Sequence, residues 1–175
     1  MVRVKTRWIL ARLEFEQNLG RTKRNDKGDG GALLERNQNQ FPSRKEVFFA
    51  LQDHHAQNFG IAGSAEAQEI QVRFCDPATR MVLIRIRRDS YPRVRATITL
   101  MTSIIRRRVV MSIVGVHGSV RTAKRATIEE VQRLYRQHFR QTIDVKQGNV
   151  AIAKRTRTEC AVMEQTLAEL HGIEF

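Results

Sequence analysis

The chain has 175 residues, about the length of one ordinary domain, and its 41% hydrophobic and 28% charged residues exclude a globally disordered protein. Its 31 lysines and arginines against 18 acidic residues give a net charge of +13, which favours polyanionic partners. The longest apolar run, 109–116, is too short to cross a membrane, and basic residues near the amino terminus argue against a signal peptide. The two cysteines lie 85 positions apart, which predicts no disulfide framework and a reducing compartment.

The first part of the chain predicts a strand, an insertion and a helix. Residues 4–15 favour a strand because β-branched and aromatic residues are frequent there. Residues 17–41 hold several glycines and asparagines and few apolar groups, which is typical of a flexible insertion. Ser43 and Glu46 have the S-x-x-E spacing of a capping box, which predicts that a helix begins there, and Gly60 predicts its end.

The next part predicts a hairpin, two helices and a strand between them. Apolar and polar residues alternate on both sides of a turn at 76–79, which predicts the hairpin. A second helix is expected after Asp89 or Ser90, either of which can cap it, with an apolar stripe that continues to Ile105. The β-branched segment 109–116 predicts a strand, and a third helix is expected over 121–139.

The resulting order, β-α-β-β-α-β, predicts an α+β fold. It is the order of a ferredoxin-like sandwich similar to an RNA-recognition motif, in which two helices cover one face of an antiparallel sheet. A weaker apolar pattern over 158–171 predicts an added C-terminal helix. We therefore expect one ferredoxin-like RNA-binding domain at 1–140, interrupted by the flexible insertion at 17–41, and a partly helical tail at 141–175.

The positive charge is concentrated in one part of the chain. Residues 80–140 hold fifteen basic and three acidic residues, so nearly the whole excess lies there. Only Arg106–Arg108 is a continuous run. Positive charge that is dispersed through helices and strands predicts a folded basic face, whereas a disordered basic arm would be one block. A merely solubilising surface is the alternative.

Residues suited to catalysis or metal binding are scarce. There is no C-x-x-C pair and no H-x-x-x-H pair, and His54 and His55 would project about 100° apart on a helix. Adjacent carboxylates at Glu129 and Glu130 suit the amino-terminal half of a helix. The glycines at 28–31 lack the Lys-Ser of a phosphate loop. We therefore predict no catalytic, cofactor-binding or metal-binding residue.

The predicted sheet favours contacts with phosphates over contacts with bases. RNA-recognition motifs stack bases on aromatic residues of their central strands, but the strand at 81–87 contains no aromatic residue. Its arginines at 85 and 87 recur at period two, which suits phosphate contacts that position RNA without reading its sequence. Three further basic residues share one face of the third helix if that helix begins near residue 121. The backbone N–H groups at the start of such a helix also attract phosphate.

Five segments, in the same order along the chain, resemble one known family. They are 1–10 (MVRVKTRWIL), 51–60 with its Asn-Phe-Gly ending, 80–87, 96–103 and 115–122 (GVHGSVRT). They are similar to the Pop-five type protein subunit of ribonuclease P and ribonuclease MRP, over about residues 1–16 and 42–140.

The resemblance implies a non-catalytic subunit with a ferredoxin-like fold. Such a subunit pairs with a larger barrel-shaped protein subunit and supports the catalytic RNA, whose bound magnesium cleaves the 5′ leader from precursor tRNA. The chain is longer than the compact archaeal members of this family, which suggests a eukaryotic member and therefore a nuclear or nucleolar location. The expected RNA contacts are the basic residues of the first and third strands and of the third helix: Arg3, Lys5, Arg7, Arg85, Arg87, Arg121, Lys124 and Arg125.

A partner surface and two alternative functions complete the expectations. Leu100 and Ile104 project away from the buried stripe of the second helix, which predicts a contact with the barrel-shaped subunit. One alternative is a general RNA-binding module, for example of the ribosome. The other is an acylphosphatase-like hydrolase, which needs an arginine in a glycine-rich loop directly after the first strand. Only Gly20 and Arg21, inside the insertion, would supply it.

Overall fold

The computed structural model describes residues 5–16, 41–145 and 151–172. Arg3 and nearly all of the predicted insertion at 17–41 lie outside the described residues. The chain forms two compact units, Met1–Ala123 and Lys124–Phe175. The predicted division into a domain at 1–140 and a partly helical tail at 141–175 stays a prediction.

The first unit is built on an antiparallel sheet. Its elements, in chain order, are β1 (Thr6–Phe15), α1 (Arg44–Ala67), β2 (Gln71–Asp76), β3 (Met81–Arg87), α2 (Tyr91–Leu100), β4 (Ser103–Ile104) and β5 (Arg107–His117). The strand order across the sheet is β2-β3-β1-β5-β4, and every neighbouring pair is antiparallel. The predicted ferredoxin-like β-α-β-β-α-β plan is confirmed, with the two-residue strand β4 added.

The main core lies on the sheet face that also holds the buried residues of α1 and α2. Alternate residues of β1, from Ile9 to Phe15, point into it because successive side chains of a strand project to opposite faces. Val47 and Leu51 of α1 and Val94 and Ile98 of α2 belong to the same cluster. Burial of each such side chain contributes about 1.5–3 kcal/mol, so this cluster is the main stabilising feature of the unit.

The second face of the sheet is also partly buried. Leu10 of β1 lies opposite Leu83 of β3, and both side chains are almost fully buried. A β-bulge between Val72 and Phe74 turns Phe74 to the side of Leu83, where Phe74 is completely buried. In β3, residues 81–84 are all buried, so both sides of the strand are buried there, and burial alternates only from Arg85 to Arg87.

Helix α1 begins as predicted and continues beyond its predicted end. The Ser43 N–H donates to Glu46 Oε2 at 2.6 Å and the Glu46 N–H donates to Ser43 Oγ at 3.3 Å, which confirms the capping box. Gly60, the predicted stop, has φ 60° and ψ −138°, so the chain bends there and then resumes the helix to Ala67. A positive φ is favourable for glycine, which explains the bend.

The second helix is shorter than predicted, and its end changes one site prediction. Helix α2 ends at Leu100, because Met101 is extended and the next residues pair with β5 as strand β4. Ile104 is therefore a strand residue, 2% exposed and part of the main core. The prediction that Ile104 contacts a partner is wrong, whereas Leu100 is 60% exposed.

Two long helices complete the described chain. Helix α3 (Val120–Val145) begins in the first unit and continues into the second, and α4 is Ala151–Gly172. Both are longer than predicted. Among the described residues, no helix is long and apolar enough to cross a membrane.

Candidate nucleic-acid interface

Three chain segments bring basic residues together at one end of the sheet. The Arg88 N–H donates to the Lys5 carbonyl oxygen at 2.9 Å, which joins the end of β3 to the start of β1. The Arg7 guanidinium lies beside Gly118, since a Cβ on Gly118 would come within 3.2 Å of it. Arg121 follows in the first turn of α3. We call Lys5, Arg7, Arg88 and Arg121 the basic sheet end.

The basic sheet end lacks neutralising partners among the described residues. Lys5, Arg88 and Arg121 are exposed and Arg7 is half-buried. None of the four forms an ion pair with a described acidic residue. Four neighbouring cations without a bound carboxylate create a positive potential that attracts a polyanion. This end of the sheet is therefore suited to the phosphates of a nucleic acid.

Arg85 and Arg87 lie on the other face of the sheet from Arg7. Arg85 pairs with Trp8 and Arg87 with Thr6, whereas Arg7 pairs with Ile86, and cross-strand partners share a face. The Arg85 guanidinium lies 5.9 Å from the centre of the Trp8 ring, a cation–π contact.

Both of these arginines also have polar partners. Arg85 donates to the Gln71 side chain at 3.5 Å, and Arg87 forms a 2.6 Å ion pair with Glu69. The predicted strand contacts are thus split between the two faces, and those on β3 already have partners within the chain.

Of the three basic residues predicted at the start of the third helix, only Arg121 is free of a partner among the described residues. The Lys124 ammonium donates to the His171 carbonyl oxygen at 2.7 Å, near the carboxyl end of α4. Arg125 forms a 2.8 Å ion pair with Glu129 four residues later, and this hydrogen bond raises the pKa of Arg125. Lys124 and Arg125 therefore have structural partners within the second unit.

The start of α3 is held by Ser119. The Thr122 N–H donates to Ser119 Oγ at 3.3 Å, and the Ala123 N–H donates to the Ser119 carbonyl oxygen at 3.1 Å. This serine cap fixes where the helix begins, and it thereby fixes Arg121 in the first turn. Thr127 and Glu130 also have the sequence spacing of a capping box, but they lie inside the continuous helix.

The sequence patterns did not identify Arg88 as a candidate RNA contact. It directly follows the period-two arginines of the predicted strand, so its strand position alone did not distinguish it. What distinguishes it is the backbone hydrogen bond to Lys5, 83 positions away. The available signal was its place just past the end of a strand, where a side chain is free of cross-strand neighbours.

One buried constellation has the residue types of a hydrolytic triad. His55 Nδ1 lies 2.7 Å from Thr97 Oγ1, and His55 Nε2 lies 3.4 Å from Glu66 Oε2. His55 and Thr97 are completely buried, so the hydroxyl is closed to a substrate. The Thr97 hydroxyl donates its own proton to the Arg93 carbonyl oxygen at 3.1 Å. Its oxygen therefore accepts the hydrogen bond from His55, so the proton of that bond is on Nδ1. The group therefore joins α1 to α2.

Metal ligands are not grouped in the described part of the chain. There, no three histidine, cysteine or acidic side chains lie close enough to hold an ion. The buried Asp76 carboxylate accepts hydrogen bonds within its own turn, from the N–H and from the hydroxyl of Thr79.

Comparison with known proteins identifies the family. The model of the Rpp14/Pop5 family matches residues 7–128, which run from β1 into α3. A chain in the cryo-EM structure of yeast ribonuclease MRP is similar with a TM-score of 0.45 and 11% identity, over 76% of this chain and 95% of that one. No curated protein matches significantly. The chain therefore belongs to the Rpp14/Pop5 family of ribonuclease P and ribonuclease MRP protein subunits, as its five sequence segments predicted.

Proposed function

We propose that this subunit binds and supports the catalytic RNA of ribonuclease P, and that of ribonuclease MRP, and that it thereby assists removal of the 5′ leader from precursor tRNA. The observation that carries the proposal is the basic sheet end, where Lys5, Arg7, Arg88 and Arg121 lie on adjoining segments without an ion pair to a described acidic residue. Family membership supports the choice of RNA.

The mode of binding follows from the residue types. Exposed lysine and arginine side chains at the ends of strands and at the start of a helix contact phosphates. Such contacts fix the position of RNA without reading its sequence. Each neutralised phosphate releases bound counterions, so four contacts would give log affinity against log salt a slope of about −3. A cationic surface of this kind lowers the repulsion between RNA helices and lets them approach one another.

The chemistry of cleavage is assigned to the RNA. Magnesium ions bound to RNA phosphates would activate the attacking water and stabilise the leaving oxygen, as metal ions do in phosphoryl chemistry. The contribution of this chain would be to hold the RNA in its active arrangement. We propose accordingly that the protein alone is not a nuclease.

A protein partner and a location complete the proposal. Leu100, at the end of α2, is 60% exposed and offers an apolar contact to a barrel-shaped subunit of the same particle. A subunit that processes precursor tRNA and ribosomal RNA would act in the nucleus and nucleolus.

Purification of the tagged full-length chain from its own cells tests the RNA assignment. We expect the ribonuclease P RNA, the ribonuclease MRP RNA or both to be the most enriched RNAs after sequencing. Enrichment of ribosomal RNA alone would contradict the proposal. The recombinant, RNA-free chain with Mg²⁺ is expected to leave precursor tRNA intact, and efficient leader removal under these conditions would contradict the non-catalytic role.

A further inference from the structure

The β4–β5 hairpin has an unusual turn at its apex. Ser103 pairs with Arg108 and Ile104 with Arg107, so only Ile105 and Arg106 form the turn. Their φ angles are 48° and 60°. Two-residue hairpins with both central residues at positive φ strongly prefer Asn-Gly or related pairs. Here the turn is formed instead by an isoleucine and an arginine.

This choice of residues lowers the stability of the turn. A positive φ is an outlier for a β-branched residue, because its branched Cβ crowds the backbone. Such backbone strain is found most often at functional sites, where the side chain is needed for something other than stability. The apex thus carries two side chains that the fold alone does not favour.

The cations of the hairpin differ in their partners. Arg107 lies 4.5 Å from the centre of the Phe15 ring, and Arg108 forms a 3.4 Å ion pair with Glu16. These contacts hold the base of the hairpin against the end of β1. Arg106 is exposed and has no ion pair with a described residue, and the Ile105 side chain is 55% exposed. The apex is therefore an apolar side chain next to an unneutralised cation.

The hairpin lies at the opposite end of the sheet from the basic sheet end. At one end of β1, Thr6 pairs with Arg87, and at the other end Phe15 pairs with Val109, next to the hairpin. Ten residues of strand span about 30 Å. That distance is too large for one phosphate group or one nucleotide to reach both places.

We propose that the hairpin apex is a second RNA contact, in which Arg106 binds a backbone phosphate and Ile105 packs against an unstacked base beside it. The inference rests on the proposed function in so far as RNA is the partner. Charge favours RNA over an apolar protein surface, since the exposed Arg106 at the apex has no ion pair with a described residue. An unpaired nucleotide offers a base that can pack against an apolar side chain, next to a phosphate that can bind a cation. These two groups match Ile105 and Arg106.

The double variant Ile105→Asn with Arg106→Gly gives the sharpest test, because stability and binding should change in opposite directions. Asn-Gly suits the turn, so the thermal midpoint of unfolding should rise by about 2 °C or more. Affinity for an RNA duplex that carries one bulged nucleotide should fall about tenfold, as expected for a lost phosphate contact and a lost base contact.

Single variants separate the two side chains. Arg106→Ala should weaken binding to the bulged duplex and to a fully paired duplex alike, whereas Ile105→Ala should weaken binding to the bulged duplex alone. Arg95→Ala is the matched control for the charge, since Arg95 is exposed on α2. Ile61→Ala is the matched control for the apolar group, since Ile61 is 92% exposed. Both controls should bind as wild type.

The outcomes distinguish this inference from the proposed function. If the double variant is more stable and binds both duplexes and the full ribonuclease P RNA as wild type does, the hairpin inference is overturned and the proposed function stands. If variants of the basic sheet end also leave RNA binding unchanged, the proposed function fails as well. Loss of a protein subunit from the purified particle with unchanged RNA affinity would show that the apex contacts protein, and it would overturn the inference.

Discussion

Arg88 donates its backbone N–H to the carbonyl oxygen of Lys5 at 2.9 Å, and this bond brings together two cations that are 83 positions apart in the chain. Because the bond is made by the backbone, both side chains remain exposed. The sheet therefore builds a positive surface from residues that come from different segments, and it does so without using their charge for its own stability.

Leu100 and Ile104 give opposite predictions for the same substitution. Leu100→Asp should leave the circular-dichroism spectrum intact and weaken binding to the barrel-shaped subunit, because Leu100 is exposed. Ile104→Asp should unfold the first unit, because it places a charge in the core. Binding is measured with the purified partner by calorimetry. Unchanged affinity of the Leu100 variant would show that the partner uses another surface.

Thr97 and Thr99 provide a matched pair for the buried histidine. Both lie on α2 and both hydroxyls donate to the carbonyl oxygen four residues earlier, but only Thr97 also contacts His55. Thr97→Val should lower the free energy of unfolding by about 1–3 kcal/mol, since it leaves the buried His55 donor without an acceptor. Thr99→Val should change it by less than about 0.5 kcal/mol. Equal effects in urea denaturation would contradict the assigned bond.

The bend in α1 depends on Gly63 as well as on Gly60. A Cβ on Gly63 would lie 2.4 Å from the His55 carbonyl oxygen, a backbone atom that cannot move aside. Gly63→Ala should therefore lower the free energy of unfolding by about 2–4 kcal/mol. Gly172→Ala, with no atom near the added methyl group, should have little effect. Similar midpoints for the two variants would mean that α1 can relax around a side chain at 63.

The capping box of α1 predicts a dependence of stability on pH. The hydrogen bonds from Ser43 hold the pKa of Glu46 below its ordinary value of 4.5. The stabilisation is therefore complete above about pH 4.5 and is lost as the pH falls through the lower folded-state pKa. Glu46→Gln should flatten the acid limb of the curve of unfolding free energy against pH, and Ser43→Ala should do the same. A variant curve parallel to that of the wild type would argue against the box in solution.

Sequence spacing was sufficient where a feature is local. The capping box at Ser43 and Glu46 involves residues three apart, and the order of strands and helices along the chain followed from apolar spacing within short segments. Ile104 was misassigned because the apolar spacing from Ile98 onward fits a helix as well as a strand, and pairing with β5 decided between them. Local spacing gave no information about that pairing.

Partners far along the chain decided the candidate site. Arg87 and Arg88 are adjacent, but Glu69 pairs only with Arg87, from 18 positions away. Lys124 contacts a carbonyl oxygen 47 positions later, in a helix whose position the sequence did not define. Net charge by segment showed that residues 80–140 are strongly basic, yet it could not separate free cations from paired ones.

The dependence of RNA affinity on salt tests the role of the basic sheet end most directly. Replacement of Lys5, Arg88 and Arg121 by alanine should reduce the slope of log affinity against log salt by about two to three, for the ribonuclease P RNA and for unrelated RNAs alike. A control variant replaces three arginines that have glutamate partners, Arg93, Arg125 and Arg133, and it should keep the wild-type slope. If the first variant keeps the wild-type slope and the control loses it, RNA binds elsewhere on this chain and the account is contradicted.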